Sequence, residues 1–452
     1  MKLLASLLVI AVMFSALPIY ADPVNLLTVY QKALEYDAQI RAAKADHLVS
    51  KEEIAKARAE FRPRVNLITS RGRNETNSTI PGFDIFGDPV INHGDLFYNA
   101  RTYDLSIRQP LINLSSYADY KQAKAVVAKS DAMLQKEELG LIVRITEAYC
   151  NALYSEDNIE FSNAHIKASL EQLQQNRRRF EKGFGTITEI NEAQADYEMA
   201  LAEGVEIVNS LEFNRRELGR LTGLYSAELS KLVPEKMVLT RPEPENVESW
   251  IELAHIDNHD VAAARQDVQI AKREVEKQRA ARYPTVDLVV GRDYSESGTN
   301  YTIGQTYGTN SISLQMNVPI YSGGYVSASV RQAHAKRLKA QELFSWQERS
   351  VDSDVRKYYN GVITSVAQIK AYEQAVKSHE IAVTGTKKGF EMGQRSNVDV
   401  LNAQQKLLES KRNLAKTRYQ YILNKLQLKD STGILSASDV EEVNGWLSAV
   451  KK

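Results

Sequence analysis

Apolar residues spaced by sevens recur along most of this chain, and a long helix is the only regular element that uses such spacing. Val355, Val362, Ile369, Val376 and Val383 form one series. Leu401, Leu408, Ala415 and Ile422 form another, beside Leu407, Leu414, Tyr421 and Leu428. The first half has its own two, Val127, Leu134, Leu141 and Ala148, then Ile190, Tyr197, Gly204, Leu211 and Leu218. A period of seven means 3.5 residues per turn and a left-handed coiled coil. A helix from Tyr325 to Thr384 is about 90 Å long at about 1.5 Å per residue, far beyond the mean globular helix of about 11 to 12 residues. No compact domain accommodates it.

Between the helical stretches lie two pairs of strand patterns. Val286, Leu288, Val290 and Tyr294 alternate with Asp287, Gly291, Asp293 and Ser295. Ile312, Leu314, Met316 and Val318 alternate with Ser311, Ser313, Gln315 and Asn317. A pleated strand sends such sets to opposite faces. The earlier pair reads the same way. Val65, Leu67 and Thr69 alternate with Asn66 and Ser70, and Tyr103, Leu105 and Ile107 with Asp104, Ser106 and Arg108. The predicted strands are about 64–74, 101–109, 285–295 and 309–319, bounded by Pro63, Pro110, Pro284 and Pro319. A loop rich in Pro and Gly (Pro81, Gly82, Gly87, Pro89, Gly94) joins the first two.

The order helix, two strands, helix, helix occurs twice. Pro63 and Pro284 are 221 residues apart, Pro110 and Pro319 are 209, and Gly183 and Gly393 are 210, as are Thr222-Gly223 and Thr432-Gly433. The halves therefore stay in register except for about twelve extra loop residues in the first strand pair, where a surface loop tolerates them. The organisation expected is a first structural repeat over 22–230, a connector over 231–246 containing Pro234, Pro242 and Pro244, a second repeat over 247–435, and a C-terminal segment, 436–452.

Residues 1–21 carry one charge, Lys2, an apolar run from Leu3 to Leu17 and a short finish at Ile19-Tyr20-Ala21, the pattern of a signal peptide removed near Ala21. Without Lys2 the chain has 56 basic residues (57 − 1) against 57 acidic. It offers no overall attraction to nucleic acid. Cys150, the single cysteine, sits in a helical pattern and forms no intrachain disulfide. No later apolar run reaches the roughly 20 residues of a spanning helix, so a membrane crossing falls to strands. Four strands of about ten residues are long enough to cross but too few to close. Two chains supply eight strands, whose interior side chains fill; three supply twelve and leave a passage. Asn66, Asp104, Arg108, Asp287, Asp293, Ser313, Gln315 and Asn317 are polar enough to line water.

With these features the sequence resembles the TolC-type outer-membrane efflux proteins over essentially all of its mature length. The likeness is carried by the tip sequences from Arg179 to Ala193 and from Gly389 to Ala403, and most closely by Val318-Pro319-Ile320-Tyr321-Ser322-Gly323-Gly324 and Asn397-Val398-Asp399-Val400-Leu401. The resemblance implies an α+β membrane protein, a homotrimer whose 12-stranded β-barrel in the outer membrane lipid, four strands per chain, continues as a long α-helical coiled-coil barrel in the periplasm. It implies an exit duct in a tripartite efflux or type I secretion system, closed at its periplasmic tip. A periplasmic adaptor (membrane fusion) protein and an inner-membrane transporter of RND, ABC or MFS type would open and energise it. A trimeric coiled-coil envelope scaffold with no pore is the alternative, and it has no use for four amphipathic strands.

The resemblance also marks residues. Asp399 takes the place of an acidic ring at the periplasmic constriction, and Asn402 stands where the family has a second aspartate, so three copies would carry about three charges rather than six. Arg395 matches an arginine that ties to the other tip, here Thr188 and Glu189, and Phe390 replaces a tyrosine whose hydroxyl joins that tie. Gly183 and Gly393 occupy the helix turns. On local chemistry alone, Thr186 to Glu189 and Ser396 to Asp399 also read as capping boxes. His255 and His259 are four apart, but no third ligand accompanies them, so no metal is expected. No catalytic residue and no cofactor site is expected, since neither a phosphate-binding Gly-Lys loop nor a nucleophile elbow occurs.

Overall fold

The computed structural model describes residues 23–225 and 228–448. The predicted signal segment, 1–21, lies outside them. The first half runs α1 (Leu26–Tyr36), α2 (Ala38–Ala59), β1 (Arg64–Phe83), β2 (Pro89–Ile112), α3 (Leu114–Glu181) and α4 (Ile187–Thr222). The second half runs α5 (Val247–Asp257), α6 (His259–Ala280), β3 (Thr285–Glu296), β4 (Thr306–Asn317), α7 (Tyr325–Glu391) and α8 (Asn397–Ser431), followed by α9 (Ala437–Gly445). α3 and α7 have 68 and 67 residues, as the seven-residue series demanded. Among the described residues no helix is long and apolar enough to cross a membrane.

The helical stretch before each strand pair breaks at one polar residue. Asp37 separates α1 from α2 with φ −60° and ψ 120°, and Asn258 separates α5 from α6 with φ −64° and ψ 127°. Short polar side chains compete for backbone groups and so favour such breaks. The Asp37 carboxylate accepts from the Gln39 N–H at 2.8 Å, while the Asn258 amide donates to the Ser431 carbonyl at 2.8 Å.

The chain divides into two compact units. Within the described residues, one comprises the chain up to Ala42, Glu137–Asn258, and the chain from Val351 onward. Its core holds Leu141, Val355, Ile369 and Ile422 of the predicted series, together with Ile145 and Leu153. Two buried tyrosines, one from each half, anchor the extended segments. The Tyr149 hydroxyl on α3 donates to the carbonyls of Ser230 and Val24, at 2.9 and 3.1 Å. Tyr421 on α8 accepts from the Thr240 N–H at 3.0 Å. A parallel bridge of Val24 with Leu229 and an antiparallel one of Leu232 with Leu447 complete the stitching. Cys150 is fully buried beside Tyr149, and burial pushes its thiol up to about 12.

The second unit comprises Ala43–Lys136 and His259–Ser350. It contains one antiparallel sheet of order β1-β2-β3-β4, so β1 and β4 are edges. The register puts Val65 opposite Ile107, Ile107 opposite Val290, and Val290 opposite Ile312, one continuous apolar row. Asp104, Asp293 and Thr309 form a row on the other face. The apolar face is bare, with Leu67, Ile312, Leu314 and Met316 each more than 60% exposed. α3 and α6 are joined by ion pairs of Lys129 with Asp267 at 2.8 Å and Lys136 with Asp260 at 2.7 Å.

The strand boundaries differ from expectation in both hairpins, most in the first. β1 continues to Phe83 rather than ending near 74, β2 begins at Pro89 rather than 101, and β4 spans Thr306–Asn317 rather than 309–319. The predicted loop is therefore mostly hairpin. Its backbone pairing needs no apolar alternation, and the turn is closed by the Asp84 carboxylate, which accepts from the N–H groups of Phe86 and Asp88 at 2.8 and 2.9 Å. Pro110, expected at the end of β2, sits at a bulge where the register with β3 shifts, a place that tolerates a residue with no N–H.

Candidate functional site

Each helix pair turns through the same local device, for reasons visible in the residues. Gly183 and Gly393 have φ of +77° and +74°, the left-handed conformation that ends a helix and that side chains resist. The Phe184 N–H reaches back to the Arg179 carbonyl at 2.9 Å, and the Gln394 N–H to the Gly389 carbonyl at 2.8 Å. The next helix is then started by a capping box. Thr186 caps α4 with Glu189, and Ser396 caps α8 with Asp399.

Asp399 thus has its local role. The Ser396 backbone N–H donates to the Asp399 carboxylate at 2.9 Å, and the Ser396 hydroxyl accepts from the Asp399 N–H at 3.1 Å. Hydrogen bonding from Ser396, with the positive charge of Arg395 adding to it, holds the carboxyl below the usual carboxylate range. Asn402, one turn further along α8, is exposed. Arg395 and Thr188 are exposed as well, and no hydrogen bond or ion pair joins Arg395 to Thr188 or Glu189 within the described residues of the protomer. The Arg395 side chain instead lies against Gly389, where any added Cβ would meet it.

Contact between the two turns is made by other residues. Phe390, 2% exposed, packs beneath the Arg179 guanidinium, whose carbon stands 4.5 Å from the ring centre. Arg179 also donates to the Phe390 carbonyl at 3.3 Å. The residue expected to lack a hydroxyl tie is therefore held through its ring and its backbone. Asn397, 1% exposed, lies deeper. Its side-chain oxygen accepts from Gln172 at 3.0 Å and from Asn176 at 2.9 Å, and its amide donates to Glu192 at 3.3 Å. Asn176 further donates to the Glu189 carbonyl at 2.9 Å. This buried amide cluster joins α3, α4 and α8. Sequence reasoning missed it because its members lie up to 225 residues apart.

Other candidates resolve simply. His255 is engaged by Asp352 at 2.6 Å, and no group of three His, Cys, Asp or Glu side chains suited to a metal occurs among the described residues.

Comparison with known proteins agrees with this architecture. A family model described as "Outer membrane efflux protein" matches residues 29–224 and 250–434. The alkaline protease secretion protein AprF of Pseudomonas aeruginosa is 34% identical over 430 residues, which cover 94% of this chain and 87% of AprF. The outer membrane protein TolC of Vibrio cholerae is 31% identical over 431 residues, 95% of each protein. Among solved structures, the Campylobacter jejuni CmeC outer membrane channel superposes with a TM-score of 0.77 at 16% identity, over 94% of this chain and 90% of that one, and so shares the fold. A sheet with bare edges, long paired helices, and matches of this extent make the chain a member of the outer membrane efflux protein family, which consists of channels and not enzymes.

Proposed function

We propose that three copies of this chain form a passive exit duct, with twelve strands closing a barrel in the outer membrane and the long helices forming a periplasmic tunnel. The observation that carries this reading is the sheet itself. β1 and β4 have no partner on their outer edges, and one face is apolar and bare while the other bears Asp104, Asp293 and Ser313. Unpaired backbone in lipid costs several kcal/mol per group, roughly, so neighbouring copies must complete it. Twelve strands leave a bore, which eight do not.

The duct is gated at the turns around Gly183 and Gly393, with Asp399 of three copies ringing the axis and Asn402 leaving that ring half as charged as two aspartates would. Arg395 ties to Thr188 and Glu189 of a neighbouring copy, since its own protomer leaves it exposed. A periplasmic adaptor and an inner-membrane transporter supply the energy. AprF and the proteases secretion protein PrtF of Dickeya chrysanthemi, 30% identical, favour protein cargo delivered by a type I secretion system. The segment 1–21 acts as signal peptide, and 22–230 and 247–435 act as the two repeats.

Single-channel recording from purified protein in a planar bilayer tests the proposal. Steady conductance from a trimeric species is expected; a water-soluble, non-conducting product refutes the duct and leaves the scaffold reading.

A further inference from the structure

The apolar face of the β1 and β2 hairpin gives way to charge part of the way along. Up to the pair Ser70–Thr102, the odd-numbered face of β1 is apolar, with Val65 and Leu67 opposite Ile107 and Leu105. Beyond it the same face carries Arg71, Arg73 and Glu75, with Arg101 and Asn99 opposite the two arginines, before apolar residues return at Phe97 and Ile91. At the boundary Tyr103 faces Tyr294 with ring centres 5.9 Å apart. An apolar band that ends first in aromatic rings and then in charge is the pattern of a strand leaving hydrocarbon through the interface. Tyr294 and Val286, at the two ends of the band on β3, are eight residues apart. At about 3.3 Å per residue and a tilt of about 40° that spans roughly 20 Å, near the roughly 25 Å apolar belt of outer-membrane barrels.

Around this boundary the face bears four arginines, Arg71, Arg73, Arg101 and Arg292, against the carboxylates Glu75 and Glu296, with Asp95 further along. Arg71 and Arg101 are direct cross-strand partners, and like charges so placed repel. Glu296, next along the row, stands 3.8 Å from Arg101. Among the described residues no carboxylate pairs with Arg71 or Arg73. Arg292 enters from below the tyrosines, facing Leu105 and Asn310, a depth from which a long side chain reaches the interface. Closure of the barrel does not relieve the excess. The strand that a neighbour would lay against β1 is β4, and Thr306–Asn317 contains no Asp or Glu.

We infer that this outward face binds the phosphate of an acylated headgroup in the outer leaflet. Arg71, Arg73 and Arg101 hold the phosphate oxygens, and Leu67 and Leu105 lie against the acyl chains. The planar guanidinium matches phosphate with paired hydrogen bonds, and the apolar row beneath distinguishes a lipid from the free anion. The inference rests on the barrel reading, which makes this face the one toward lipid.

The test is native mass spectrometry of the full-length protein in an uncharged detergent, with lipid A carrying two phosphates, the same lipid after dephosphorylation, and inorganic phosphate as probes. Wild type is expected to retain the bisphosphorylated lipid roughly tenfold better than the dephosphorylated one, and R71Q/R73Q to lose that preference while R71K/R73K keeps most of it. Inorganic phosphate is expected not to displace the lipid. Equal retention of the two lipids by wild type overturns the site whatever the variants do, as does an unchanged preference in R71Q/R73Q. Displacement by inorganic phosphate at matched concentration makes it a free-anion site and overturns the lipid assignment. The same samples are recorded in a planar bilayer. A non-conducting wild type refutes the barrel, whereas normal conductance with no phosphate-dependent retention refutes this site alone.

Discussion

Replacing Asn397 by alanine tests the amide cluster that joins the two helix turns. In the intact protein the Asn397 side chain makes three hydrogen bonds, to Gln172, Asn176 and Glu192, in a site where Asn176 is 0% and Gln172 3% exposed. Each such bond is worth about 1 kcal/mol net, and a buried partner left unsatisfied costs about 1 to 3 kcal/mol. Gln172 and Asn176 keep each other and the Glu189 carbonyl, so the lower figure applies, about 3 kcal/mol for the three bonds. That corresponds to roughly a hundredfold in the equilibrium between joined and separated turns. Hydrogen exchange resolved by peptide is the assay. Amides of α3 and α8 within two turns of Asn176 and Asn397 should exchange roughly a hundredfold faster, while those around Tyr149 and Tyr421 keep their protection. Unchanged exchange near Asn176, or equal acceleration throughout the unit, refutes the reasoning.

Phe390→Ala removes a buried ring together with its contact to Arg179; a loss of about 3 to 5 kcal/mol is expected in denaturant unfolding, with Arg179→Ala costing distinctly less. Asp399→Ala should weaken block of the duct by a trivalent cation added from the periplasmic side. Because Ser396 and Arg395 hold the Asp399 carboxyl low, both its charge and its capping contribution are fully present above the usual carboxylate range. They are lost only as pH falls through the depressed value, so block in wild type should persist through the usual carboxylate range and fade only below it. A block that titrates near pH 5 counts against this assignment. Ile312→Lys places charge on the apolar face and should cost about 2 to 4 kcal/mol in membrane folding assays, whereas Ser313→Lys on the other face should assemble and shift ion selectivity. Cys150, its thiol pushed up to about 12 by burial, should resist iodoacetamide at pH 8 when folded and react on unfolding.

Much of the architecture was legible because it is written locally. The series Val355 to Ile369 and Leu408 to Ile422 is buried in the helices that its spacing predicted. Gly183, Gly393 and both capping boxes sit at the turns because a left-handed glycine and a Ser or Thr cap act within four residues. The breaks at Asp37 and Asn258 were not legible, since a single Asp or Asn without neighbouring Pro or Gly is also common inside helices. Residues 75–83 read as loop because Arg71 to Thr79 carry no apolar side chain, so no alternation marks the strand that backbone pairing alone continues to Phe83. Asn397 was unremarked as the first residue of α8. Its partners come from α3 and α4, and only the fold brings them to it.

The even number of strands per chain carries a consequence for assembly. Four strands alternating in direction leave β1 and β4 running opposite ways, so in the proposed barrel β4 of one copy would meet β1 of the next in the same antiparallel sense as every pair within the chain. Three or five strands would force a parallel, slightly weaker joint. This seam is indifferent to how many subunits share the circle, because each junction looks alike at any circumference. Stoichiometry must then be decided by curvature, in the inclination of the long helices and the bulk of residues along the sheet. Substitutions at the seam would govern whether a ring shuts, and those affecting curvature how wide it is.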